Sequence, residues 1–164
     1  IEIIKNSAID ACAQCTEGYD SKNGNIYTKF LCKKAFEILE DAILTENYEK
    51  LALGSLIDGL GFGNCSTTLG HALSYVFSNE GYSHGHALAF TTTVSHKFNN
   101  SIFYTRFKKL VKKMQFEKIS LEQDVYDATK TILLDRKHLD NNPTDVKKDD
   151  ITILLKKILN NELD

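Results

Sequence analysis

Apolar residues recur along this chain at three- and four-residue intervals, the repeat of one face of an α-helix. Ile3, Ile4, Ala8, Ala11, Cys12 and Cys15 form the first stripe, and Ser21-Lys22-Asn23-Gly24-Asn25 interrupts it as a loop. A second helix is predicted from about Tyr27 to Thr45, with Phe30, Leu31, Ala35, Ile38, Leu39, Ala42 and Ile43 on one side. Tyr48 to Leu60 is apolar but carries Ala52, Gly54, Ser55 and Gly59, small residues that suit a crowded helix. Further helices are predicted at about 67–77, at 86–98 despite the Thr91-Thr92-Thr93 run, and at 102–114. Ser120-Leu121-Glu122-Gln123 has the spacing of a capping box, so a helix is expected from there to about Arg136. Asp140-Asn141-Asn142-Pro143-Thr144 is a break before a last helix at about 148–160. Pro143 is the single proline, and no run alternates like a half-buried strand. The pattern predicts an all-α protein, a bundle of about seven helices forming one domain over residues 1–164.

Composition narrows the partners. Hydrophobic residues make up 42% and charged residues 26% of the 164, as in an ordinary globular domain. A net charge of −2 offers no basic excess for nucleic acid. The run Arg106, Lys108, Lys109, Lys112, Lys113 is read as the solvated side of an amphipathic helix. No apolar stretch approaches the roughly 20 residues of a membrane span. Neither a signal-peptide design nor paired cysteines are evident, which points to a reducing cytoplasm. Cys12 and Cys15 form a C-x-x-C, but no second one accompanies it. Buried thiols on a helix are therefore expected there, not a zinc or redox site.

Candidate chemistry concentrates in two places. Of five histidines, His71, His84 and His86 fall close together, each near a glycine that lets backbone or ligand approach. Asp10 and Gln14 lie four residues apart, on one face of the first helix. A carboxylate, an amide oxygen and two imidazoles from other helices suit a divalent metal such as iron or zinc.

In order and local wording, Asp10-Ala11-Cys12-Ala13-Gln14, Gly70-His71-Ala72-Leu73-Ser74-Tyr75 and Ser83-His84-Gly85-His86-Ala87 resemble the iron-containing alcohol dehydrogenase family. The likeness is to its C-terminal helical domain, of dehydroquinate synthase-like fold. Asn142-Pro143 before a short apolar helix is similar to the family's C-terminal end. The resemblance implies metal ligands at Asp10, Gln14, His71 and His84. Three departures stand out: Gln14 replaces a histidine ligand, Ser83 replaces a proline, and Tyr75 replaces a further histidine facing cofactor and substrate. The combination looks most like the phosphonoacetaldehyde reductase branch. The family's Gly-rich phosphate loop is missing and the chain lacks an initiator Met. The expectation is therefore a domain of a longer two-domain enzyme, without its Rossmann-like half.

The resemblance implies an NAD(P)-linked alcohol dehydrogenase or aldehyde reductase. Fe2+ or Zn2+ would polarise the substrate oxygen, and His86 would contact substrate or relay a proton. Expected partners are a small alcohol or aldehyde, with a phosphonate-bearing one in view, and a second copy in a homodimer. This chain alone is expected to be inactive. The competing expectation is a non-catalytic helical domain that has lost metal binding, favoured by Gln14. A helical metal sensor or hydrolase would need a further acid or base, for which Glu17 is the nearby candidate.

Overall fold

The longest helices of this chain pack around α1 (Glu2–Asp20), which lies against α2 (Ile26–Thr45), α3 (Tyr48–Phe62) and α5 (His84–Phe98). The computed structural model describes residues 2–163. Among these are nine α-helices and no strand. The remaining helices are α4 (Leu69–Ser78), α6 (Tyr104–Met114), α7 (Val125–Leu133), α8 (Arg136–Asn141) and α9 (Lys148–Leu159). No helix among the described residues is long and apolar enough to cross a membrane.

Local chemistry sets the helix ends. Asn25 caps α2 by accepting from the amides of Tyr27 and Thr28, while the Thr28 hydroxyl accepts from the Asn25 amide. This reciprocal pairing satisfies amides that the first turn leaves open. Glu46 ends α2 in the left-handed region at φ 56, and Asn47 at once caps α3 through the Lys50 amide, so α2 and α3 form a tight hairpin. The core behind α1 holds Phe36, Phe77, Phe103 and Phe107, all fully buried. Phe103 meets Tyr19 and Phe36 edge-on, with centroids 5.1 and 5.0 Å apart. Such side chains contribute about 1.5–3 kcal/mol each through burial. All four cysteines are free and buried in this core.

The expected all-helical architecture is found, with more helices than predicted. The predicted 120–136 helix is two shorter ones. The Ser120 capping box does not form, because the Glu80 carboxylate accepts from the Glu122 and Gln123 amides. The Ser120 amide donates to the Tyr82 hydroxyl instead. Asp124 then caps α7 through Tyr126, and Asp135 caps α8. The threonine run 91–93 does remain helical: it is fully buried, and Thr93 bonds back to the Ala89 carbonyl. Tertiary packing here outweighs the modest helix preference of β-branched residues.

Candidate metal centre

Three helices bring their polar groups to one point. Asp10 projects from α1, His71 from the first turn of α4, and His84 is the first residue of α5. His71 Nε2 lies 3.8 Å and His84 Nε2 4.0 Å from Asp10 Oδ1. One ligand atom from each residue falls within 4.8 Å of the others. Gly85 makes this approach possible. A Cβ there would lie 2.0 Å from the backbone oxygen of Asn6 on α1, so only glycine lets the start of α5 touch α1 at this point.

Hydrogen bonds from behind orient the rings. Glu17, seven residues after Asp10 on the same face of α1, is 1% exposed. Its Oε2 accepts from His71 Nδ1 and from the Thr68 amide, both at 2.8 Å. Burial pushes the Glu17 carboxyl up, but the neighbouring His71 and these two hydrogen bonds outweigh it and hold the group below its usual range. A carboxylate only accepts, so His71 Nδ1 carries a proton, and Nε2 is the ring atom that faces Asp10. The His84 Nδ1 likewise faces the Ser74 hydroxyl oxygen at 3.4 Å, while that hydroxyl donates to the His71 carbonyl. Burial lowers the His84 pKa, which favours the neutral, ligating form. Gly70 gives Glu17 its room: a Cβ there would lie 2.0 Å from Oε1 and 2.9 Å from Thr92 Cα.

The centre fits a cation on its own terms. Asp10 Oδ1 is buried and has no hydrogen-bond partner among the described residues. Burial raises the Asp10 pKa even though His84 and His71 pull it down. Two imidazole nitrogens and a carboxylate oxygen facing one another form a donor set for a divalent metal.

Two more rings adjoin the centre. Tyr75, one turn beyond His71 on α4, stacks on His84 with centroids 5.7 Å apart. His138 on α8 lies nearly parallel to His71, 6.2 Å away. Asp135 fixes His138 twice, accepting from its amide at 3.3 Å and from Nδ1 at 2.7 Å.

The structure thus brings Asp10, His71 and His84 together. Gln14 is half-buried on the same face of α1, one turn from Asp10, and makes no hydrogen bond among the described residues. His86 is not brought to the cluster. Two residues beyond His84, it lies about 200° round α5, where Nε2 meets the Glu117 carbonyl at 2.6 Å and the ring packs by Tyr82, Phe90 and Phe116. Cys12 and Cys15 are buried thiols, as expected, and burial pushes both well above the usual thiol range. Sequence reasoning missed Asp135 and His138, whose Asp-x-x-His spacing was the available signal. It saw Glu17 only as an acid or base, although its heptad spacing from Asp10 marks a shared face.

The family model described as "Fe-containing alcohol dehydrogenase family, C-terminal" matches residues 4–134. The chain belongs to that family. Among curated relatives of this iron-type alcohol dehydrogenase domain is the 4-hydroxybutyrate dehydrogenase of Clostridium kluyveri. It is 32% identical over 114 residues, which are 63% of this chain and 29% of that protein. Among solved structures, the iron-containing alcohol dehydrogenase of Thermotoga maritima superposes with a TM-score of 0.85 at 20% identity, over 97% of this chain and 50% of that one. The sulfoacetaldehyde reductase of Bifidobacterium kashiwanohense in complex with NAD+ gives 0.84 at 20% identity, over 96% and 50%. These superpositions establish the fold. The chain spans about half the length of those solved enzymes and less than a third of the C. kluyveri protein.

Proposed function

We propose that this domain is the metal-binding part of an NAD(P)-linked alcohol dehydrogenase or aldehyde reductase, with Asp10, His71 and His84 as ligands. The convergence of these three side chains around Asp10 Oδ1 carries the reading. A divalent metal held there supplies Lewis-acid polarisation of the substrate oxygen, and a nicotinamide cofactor supplies or takes the hydride. The residues themselves perform the positioning. Glu17 and Ser74 fix the imidazole tautomers, Gly85 sets the α1–α5 distance, and Gln14 stands beside the cluster as a weaker oxygen donor. His86, on the other side of α5, is given no part.

The substrate is a small alcohol or aldehyde, as the names of the relatives suggest. A phosphonate-bearing one, as in the phosphonoacetaldehyde reductase branch, is the less favoured reading. Asp10 and Glu17, the charged side chains paired to the cluster's imidazoles, and Asp135, paired to the adjoining His138, are all acidic. Metal content after purification with Fe2+ or Zn2+ tests the proposal. Near-stoichiometric metal is expected, lost in a His71→Ala, His84→Ala variant. A metal content that is the same in both proteins would overturn it in favour of a helical domain without a competent centre.

A further inference from the structure

Two of the four buried cysteines meet at Gly18, in the last turn of α1. A Cβ at this glycine would lie 3.0 Å from Cys32 Sγ and 3.2 Å from Cys65 Sγ, so both sulfurs point at one spot. Cys32 comes from the second turn of α2, Cys65 from the irregular link between α3 and α4. The Cys32 thiol donates to the Cys65 sulfur, and Cys65 Sγ lies 3.4 Å from the Gly18 carbonyl oxygen. Their surroundings differ. Cys32 is fully enclosed, whereas Cys65 lines a surface cleft of about 410 Å³ with Asn23, Phe62, Ser66 and Lys137. The bond from Cys32 draws the Cys65 thiol below its usual range, helped by Ser21 and Thr28 and opposed by burial. The same bond, with burial, pushes Cys32 up. A partly activated thiol at the floor of a cleft, with a second thiol behind it, is the arrangement that oxidation selects.

We propose that Cys32 and Cys65 are a site of reversible oxidation, at which a small hydroperoxide entering the cleft joins the two thiols as a disulfide. The site stands apart from the metal centre and does not rest on the function proposed above. Cys65 is the attacking sulfur, because it is the one that lines the cleft. Its thiolate attacks one peroxide oxygen: the S–O bond forms as the O–O bond breaks, and the leaving oxygen takes up a proton. The products are a sulfenic acid on Cys65 and one molecule of water or alcohol. The Cys32 sulfur then attacks the Cys65 sulfur. The S–S bond forms, the S–O bond breaks, and the departing hydroxide leaves as water with the Cys32 proton. The pair gives up two electrons, which the peroxide gains. Cys65 lies outside any helix, beside Ser66 at φ 66→left-handed geometry of 65, so the small shift that a disulfide needs falls on an irregular link and spares α2. A dithiol reverses the bond by exchange.

Peptide mapping of the folded chain after hydrogen peroxide treatment tests this, with remaining thiols alkylated in denaturant. Half of the four thiols should be lost, and the tryptic peptides that carry Cys32 and Cys65 should be joined. Dithiothreitol should restore all four. Cys12 and Cys15, whose thiols burial pushes well above the usual range, should remain free to alkylate. In Cys32→Ala the sulfenic acid on Cys65 has no partner, so dimedone should trap it there and no disulfide should form. Four thiols surviving the peroxide would sink the proposal, as would oxidation that begins at Cys12 or Cys15, or disulfides formed only between chains. A sulfinic acid on Cys65 with Cys32 still a thiol would remove the pair from the scheme. The peptide map of the parent chain decides the question by itself if Cys32→Ala does not fold.

Discussion

Replacing Glu17 with Gln changes one atom type in a buried carboxyl group and leaves its shape intact. The consequence follows from two hydrogen bonds, to His71 Nδ1 and the Thr68 amide, both at 2.8 Å. Bonds to a charged group contribute about 1.5–3 kcal/mol each, and neutral ones about 0.5–1.5. The gross loss over two bonds is about 2–3 kcal/mol on that basis. Removing a buried charge offsets part of it, so a net destabilisation of about 1–2 kcal/mol is expected. For a domain of this size that lowers the melting temperature by about 2–8 °C. The metal should suffer separately. His71 keeps only a neutral acceptor in place of a carboxylate, and disturbing such a partner weakens metal affinity about 10- to 100-fold. Competition with a chelator for Zn2+, alongside thermal melts, measures both. An affinity within about twofold of the parent, in a protein that melts as a single cooperative unit, would refute the claim that Glu17 orients His71.

Other substitutions probe different parts of the argument. Gly85→Ala places a Cβ 2.0 Å from the Asn6 carbonyl oxygen and should destabilise by about 1–3 kcal/mol or more while weakening Zn2+ binding. Gly59→Ala meets nothing within 4 Å and should leave the metal affinity alone, as chelator titration of the pair would show. Asp58 is 1% exposed, and burial lifts its pKa from 3.8 to about 8. Its contribution to stability is therefore complete below pH 3.8 and is lost as pH rises through about 8. The loss is on the order of 5 kcal/mol. Asp58→Asn should flatten the decline in melting temperature between mildly acidic and alkaline buffer, and parallel curves for the two proteins would contradict this. Asn25→Ala removes the α2 cap and should cost about 1 kcal/mol, visible as a lower urea midpoint with unchanged slope.

The helical stripes made the architecture legible because amphipathic periodicity and core-facing position are the same fact in a bundle. The predicted second helix, 27–45, lies within one residue of α2. Asp10, His71 and His84 were found through their order along the chain, which a resemblance can supply and periodicity cannot. Where the sequence misled, a distant group had intervened. Glu80 drew away the amides that the Ser120 box needed, and nothing local to residues 120–123 reveals that. His86 was placed beside the metal because it is close in sequence to His84. Once α5 is seen to begin at His84, the helical turn alone sends it to the other side. His138 stayed hidden because its meeting with His71 links residues 67 positions apart through a short helix that the pattern did not predict.

One imidazole is gripped from both ends by a single helix. Asp10 and Glu17 ride two turns apart on α1, and His71 spans the gap between them. That side of the centre behaves as a fixed jaw: tilting α1 carries ligand and clamp together. His84 arrives on a separate helix and is the movable jaw, stopped against the Asn6 backbone through Gly85. Redesign for a larger or smaller ion would therefore gain most from altering how α5 seats, while changes along α1 would disturb coordination and proton placement at once.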